Sequence, residues 1–165
     1  MELFLMRHAE AESPQRYAED RLRPLTAQGQ ARHQIVVRVV APLLQPLDHL
    51  LTSPILRARQ TADITATSVK CARPVEETSL LAEACSLGNV LSLLQDYAPD
   101  ARILCVGHEP HMSRLAAAFL GGAGRSAFAF EPGAVIGMTF RGHPAPGFGL
   151  LRFFLRPTDV LRLPV

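Results

Sequence analysis

The run Leu3-Phe4-Leu5-Met6 is apolar throughout and stops at once on Arg7-His8-Ala9-Glu10. A short apolar run bounded by polar residues reads as a strand buried on both faces, the kind found in parallel sheets. Its carboxyl end then carries an Arg-His pair, and in open α/β sheets that edge is where ligands bind. This junction constrains the chain more than any other stretch. It asks for a parallel sheet around it, helices over both faces, and a reactive pair at the mouth of the crevice.

The rest of the chain alternates in the same sense. Residues 9–23 are polar and charged, a connection long enough to be functional or mobile. Pro24-Leu25-Thr26 opens a helix with Thr26 as N-cap. Ala31, Ile35, Val39 and Leu43, beside Val36 and Val40, give it an apolar stripe, and Pro42 and Pro46 end it. Residues 48–52 read as a second strand. Ser53 then serves as N-cap and Pro54 as the first residue of a helix that reaches about Val69. Residues 74–81 are a weak extended segment and residues 88–97 a helix. Residues 102–106 form the clearest second buried strand, ending at Gly107-His108-Glu109-Pro110. A helix follows through Met112, Leu115, Ala116, Phe119 and Leu120, closed by Gly121-Gly122. Residues 134–140 and 148–155 read as an antiparallel hairpin at one side of the sheet, and the tail from Pro157 as peripheral. The expected architecture is a three-layer α/β/α sandwich, its sheet mostly parallel with an antiparallel C-terminal edge. It spans residues 1–165 as one domain.

Composition narrows the partners. The chain has 165 residues, 48% of them hydrophobic, and a formal net charge of +2. That balance indicates neither nucleic acid nor a membrane surface. Of the 17 basic residues only Lys70 is a lysine, and the guanidinium fork matches phosphate oxygens better than an ammonium does. Cys71, Cys85 and Cys105 are odd in number and lack CxxC spacing, which argues against a disulfide framework or a zinc site. The start does not read as a signal peptide, and no apolar run is long enough to span a bilayer. The expectation is a cytoplasmic protein in a reducing compartment.

Three strand-to-helix junctions end in chemically suggestive residues: Arg7-His8, Ser53-Pro54-Ile55-Leu56-Arg57 and Gly107-His108. If those strands are parallel, all three lie on the carboxyl edge, with Arg57 in the first turn of its helix. Helix N-termini favour anions. Two Arg, two His and a helix start make a dianion pocket that needs no metal or other cofactor. A neutral imidazole can attack phosphorus through one ring nitrogen while the other keeps its proton on a backbone carbonyl. Water then hydrolyses the phosphohistidine, which splits one hard displacement into two easier ones. The Arg residues, and His108 if protonated, stabilise the equatorial oxygens, and a general acid protonates the leaving group. Zinc ligation by His8, His108 and Glu83 is disfavoured because the two Arg would repel the cation.

The segments Leu5 to Ala11, Leu51 to Ala62 and Val106 to Pro110, in this order, resemble the histidine phosphatase superfamily, with the phosphoglycerate mutase-like fold. The short length and the segment Asp20-Arg21-Leu22-Arg23-Pro24-Leu25-Thr26 resemble its SixA-type phosphohistidine phosphatases. The resemblance runs from about Leu3 to Leu120. It implies that His8 is the phospho-acceptor and that Arg7, Arg57 and His108 complete the phosphate pocket. The family's acid commonly comes from a Leu-x-Glu segment. Leu81-Ala82-Glu83 fits, so Glu83 is the first candidate and Asp20 the second. Ala9 stands where the family usually has Gly, and the long insertion of larger members is missing, which implies an open, shallow site. The implied substrate is phosphohistidine on a signalling protein, such as a phosphocarrier or phosphorelay domain. A small-molecule phosphomonoesterase and a non-catalytic phosphoprotein-binding module are the alternatives. The reading leaves Glu10, Glu12 and Arg23 on the surface, and His33, His49 and His143 with them. It lets His111 bond near the pocket. Phe128, Phe130, Phe140, Phe148, Phe153 and Phe154 are assigned to core packing or an edge contact.

Overall fold

The computed structural model describes residues 1–122 and 128–162. Strand β1 (Glu2–Arg7) lies inside a six-stranded sheet, paired with parallel β4 (Arg102–Gly107) on one side and antiparallel β5 (Val135–Thr139) on the other. Beyond β4 come β2 (His49–Thr52) and the two-residue β3 (Glu76–Glu77), both parallel. Beyond β5 lies antiparallel β6 (Leu150–Leu155). The order is β3-β2-β4-β1-β5-β6, the expected parallel sheet with an antiparallel C-terminal edge.

Side-chain alternation along β1 assigns the two cores. Leu3 and Leu5 point to the face covered by α3 (Leu87–Gln95) and α4 (His111–Phe119). Phe4 and Met6 point to the face covered by α1 (Ala27–Leu44), α2 (Leu56–Ala66) and the short α5 (Pro157–Val160). All four are essentially fully buried, each contributing about 1.5–3 kcal/mol. A strand buried on both faces reads as an unbroken apolar run, which is why the sequence exposed it.

Thr26 caps α1 as expected, its hydroxyl accepting from Gly29 N at 2.8 Å. The buried face of α1 is rotated from the expected stripe. His33, Val36, Val37, Val40 and Leu44 face the sheet, while Ile35, Val39 and Leu43 are exposed. The helix is apolar round much of its girth, so periodicity alone could not choose the face. Pro42 does not end it: the helix runs on to Leu44. Helix α2 starts two residues later than expected, with Ile55 as N-cap, and stops at Ala66 rather than near Val69. Gly121, at φ 86°, follows the end of α4 in the left-handed conformation expected of a terminating glycine.

Three further expectations change. His33 is almost fully buried, its Nε2 3.0 Å from Thr65 Oγ1. His49 and His143 are half-buried and bonded to Glu76 and to the Tyr97 carbonyl. The tail is not peripheral, because Pro157 and Val160 are buried in α5. Five of the six phenylalanines pack inward, but Phe148 is 76% exposed.

Gly29 sets how closely α1 approaches the loop after β1. A Cβ there would collide with the Glu10 carbonyl oxygen, to which Thr26 N donates at 3.0 Å. The helix start therefore rests directly on the segment carrying His8.

Candidate active site

Strands β1, β2 and β4 are parallel and in register, so their carboxyl ends emerge together. His8 N donates to the Gly107 carbonyl and Ser53 N to the Val106 carbonyl, each at 3.0 Å. Central β4 thus pins the exits of both neighbours. The three junctions singled out in the sequence converge at one edge.

The structure gathers His8, Arg57 and His108 there, all buried. The His8 Nδ1 lies 2.7 Å from the Ala9 carbonyl oxygen. A carbonyl only accepts, so Nδ1 carries the proton and Nε2 keeps its lone pair. Arg57 Nε donates to that Nε2 at 3.3 Å. The His108 ring sits 5.2 Å from the His8 ring, centroid to centroid. Burial pushes His8 down to about 3, with His108, Arg57 and Arg7 adding to the shift. His108 is pushed down to about 4, again first by burial and then by Arg57. Both imidazoles are neutral near pH 7. The cationic His108 considered from sequence is not its state in this pocket; an anion alongside would raise it.

Arg7, at the end of β1, donates from one terminal nitrogen to the Phe130 carbonyl at 2.7 Å. Its Nε and the Nδ1 of His108 are buried and have no hydrogen-bond partner among the described residues. A buried donor such as the Arg7 Nε is costly unless something accepts from it.

Asp20 is an exposed side chain on the loop above the pocket, yet it holds Arg57 twice. Its carboxylate lies 2.9 Å from one terminal nitrogen and its carbonyl accepts from the other at 2.9 Å. Arg23 donates to the same carboxylate at 2.9 Å and to the Glu12 carbonyl at 3.0 Å. Burial alone would raise Asp20, but Arg57 and Arg23 together hold it below the usual carboxylate range. Arg23 is therefore part of the site's rim rather than a solvated loop residue.

Glu83 lies elsewhere. Among the described residues no hydrogen bond or ion pair joins it to His8, Arg7, Arg57 or His108. It is exposed and lines a cleft of about 550 Å³ with Arg21, Leu22, Ile55, Arg59 and Glu77. That cleft runs over the start of α2, next to the pocket. Glu10 is exposed, and Glu12 pairs with Arg16 at 3.0 Å. His111 is half-buried, its Nδ1 without a partner among the described residues. Among the described residues no group of three or more His, Cys, Asp or Glu side chains is arranged to hold a metal ion.

Sequence reasoning missed two hydroxyls. Ser53 Oγ lies 2.8 Å from His108 Nε2 and accepts from Ile55 N at 3.2 Å. The sequence marks it only as a helix cap. Thr61 Oγ1 accepts from Ala9 N at 3.0 Å and donates to the Arg57 carbonyl at 2.7 Å. The signal for Thr61 was available: four residues after Arg57 on a helix, it faces the same way.

Known proteins carry the same arrangement of elements. Residues 3–89, just over half the chain, match the model of the histidine phosphatase superfamily (branch 1). An uncharacterized protein of Picosynechococcus sp. strain PCC 7002 is 37% identical over 140 residues, 84% of each chain. The structure of the protein histidine phosphatase SixA complexed with tungstate superposes with a TM-score of 0.83 and 25% identity, over 97% of this chain and 99% of that one. The alpha-ribazole phosphatase from Shigella flexneri has the same fold, with a TM-score of 0.68 and 21% identity over 95% and 97% of the two chains. With its three motifs meeting at one sheet edge, this chain belongs to the histidine phosphatase superfamily (branch 1).

Proposed function

We propose that the protein is a phosphatase that works through a covalent phosphohistidine on His8, and that its substrate is phosphohistidine on a signalling protein. The observation that carries the reading is the state of His8. The ring is neutral, its Nδ1 proton is held by the Ala9 carbonyl, and its Nε2 lone pair lies beside Arg57. That is an imidazole ready to attack phosphorus.

In the first step the His8 Nε2–P bond forms as the bond from phosphorus to the leaving group breaks. Water then attacks the phosphohistidine and releases phosphate. Arg7, whose Nε has no partner among the described residues, and Arg57 stabilise charge on the equatorial oxygens, with His108 completing the pocket. A dianion also competes with Asp20 for the Arg57 fork. The leaving group receives its proton from Glu83 in the first instance, because Glu83 lines the cleft beside the pocket while Asp20 is engaged by two guanidiniums. Asp20 is the second candidate; once phosphate displaces it from Arg57, its carboxyl keeps only Arg23 of the two cations that hold it low.

The substrate assignment draws on the SixA relative, whose structure holds tungstate, a tetrahedral oxyanion, and on the cleft. Its floor of Leu22, Pro54, Ile55 and Leu56 with a charged rim suits a protein surface better than a small polar sugar. A phosphorelay or phosphocarrier domain is the partner of that description. The likeness to an alpha-ribazole phosphatase favours a second reading, a small-molecule phosphomonoesterase with the same chemistry. No helix among the described residues is long and apolar enough to cross a membrane, and the three free cysteines suit the reducing cytoplasm.

Rapid-quench labelling with a phosphoramidate and with phosphohistidine-bearing protein tests the reading. An acid-labile, alkali-stable phosphoenzyme should form and decay in the wild type, and none should form in His8→Ala, which should keep its fold. Turnover in His8→Ala above about a tenth of wild type contradicts the nucleophile. A preference for sugar phosphates selects the second reading, and binding without turnover selects a phosphoprotein-binding module.

A further inference from the structure

We propose that Thr61 is a positioning residue: its hydroxyl ties the peptide after His8 to the helix that carries Arg57 and so fixes which nitrogen of His8 faces phosphorus. The inference rests on His8 being the nucleophile and adds how that ring is held in its reactive form.

The peptide plane between His8 and Ala9 is held at both ends. Its carbonyl accepts from Gly133 N at 3.0 Å, and its N–H donates to Thr61 Oγ1 at 3.0 Å. Gly133 reaches that position with φ 87°, a conformation that side chains rarely adopt. With the plane fixed at both ends, the next carbonyl, that of Ala9, is aimed back at His8 Nδ1 at 2.7 Å. The Thr61 hydroxyl has one proton, and the Arg57 carbonyl takes it at 2.7 Å. Its lone pairs are then the acceptor for Ala9 N. Thr61 is fully buried, so water cannot replace it. A single hydroxyl therefore connects the backbone of Arg57, whose side chain touches His8 Nε2, to the backbone that locks His8 Nδ1.

Helix α2 supplies its own control one turn on. Thr65 is equally buried and makes the same internal bond, donating to the Thr61 carbonyl at 2.8 Å. Its acceptor side faces His33 Nε2 at 3.0 Å, not the His8 loop. A role limited to helix stability would make the two threonines equivalent. A positioning role separates them.

Thr61→Val keeps the shape and removes the acceptor. Ala9 N is then orphaned, the peptide is free to tilt, and the competing tautomer, with its proton on Nε2 and no lone pair for phosphorus, becomes accessible. The test compares wild type with Thr61→Val, Thr61→Ser, Thr61→Ala and Thr65→Val, each checked for folding by thermal denaturation. Long-range ¹H–¹⁵N spectra of histidine-labelled protein read the His8 tautomer, and rapid quench reads phosphoenzyme formation. Wild type, Thr61→Ser and Thr65→Val should show His8 protonated on Nδ1. Thr61→Val and Thr61→Ala should show a mixture, with phosphoryl transfer slowed by about tenfold or more. Their dissociation constant for inorganic phosphate should change by less than about threefold. An unmixed Nδ1–H signal in Thr61→Val, or the same mixing in Thr65→Val, overturns the proposal. So does an Nε2–H signal in the wild type, which needs no variant to fold. If wild type forms no phosphoenzyme the functional reading fails, while the tautomer comparison still decides the role of Thr61.

Discussion

Lowering the pH from 7 to 5 should leave His8 uncharged. Burial holds the ring at about 3, so about 1% of it is protonated at pH 5, against about 97% for an exposed imidazole of ordinary pKa 6.5. The population of nucleophile then falls by about 1% instead of about 25-fold. The direction follows from the surroundings: a cationic ring would sit against Arg57 and Arg7 with little water to screen it. Histidine-labelled protein followed by ¹⁵N shift from pH 7 to 4, with His8→Ala to assign the resonance, should show no His8 midpoint in that window. The maximal rate with a saturating phosphoramidate should show no acid limb from His8 over the same range. A His8 midpoint above about 5.5 refutes the reasoning, because the burial and the facing cations would then not be acting on the ring as described.

Other consequences are open to measurement. Arg57→Ala removes the charged fork beside His8 Nε2 and should weaken inhibition by inorganic phosphate or tungstate by about 10- to 100-fold, the loss of about 1.5–3 kcal/mol expected for a charged hydrogen-bond donor; an unchanged inhibition constant counts against its pocket role. Glu83→Gln should slow an alkyl phosphate by about tenfold more than an aryl phosphate with a good leaving group, and Asp20→Asn should discriminate less; the reverse order transfers the acid role to Asp20. His33, held at about 4 by burial, is neutral in the folded protein while the unfolded chain takes up a proton near 6.5. Its contribution to stability is complete above 6.5 and is lost as the pH falls toward 4, by about 2 kcal/mol between pH 7 and pH 5. Urea denaturation of His33→Asn should lack that share of the pH dependence, and a dependence equal to wild type removes the assignment.

What the sequence disclosed divides along physical lines. Strands buried on both faces announce themselves as apolar runs, and the polar residues that break them mark the sheet edge, so Arg7, His8 and His108 could be placed before any coordinates. Arg57 followed from its position just inside a helix. The buried face of α1 could not be chosen, since Ile35 and Val37 are equally apolar and only the sheet decides between them. His33 was missed for the opposite reason. A buried polar residue looks like a surface one until its partner is known, and its partner Thr65 lies 32 residues along the chain. The Asp20–Arg57 pair joins residues whose separation no periodicity encodes, so the loop above the pocket could be marked as functional but not attached to a particular guanidinium.

The strand order has a consequence for how the protein comes into being. Strands β1 and β2 share no hydrogen bond; β4 lies between them and pairs with both, and the chain supplies it after both. A growing polypeptide that has emerged through α2 already contains Arg7, His8 and Arg57, but not the strand that pairs with both β1 and β2. Competence to bind phosphate should arrive abruptly when residues 102–107 slot between the waiting strands, and shorter fragments should be inert toward phosphoryl donors.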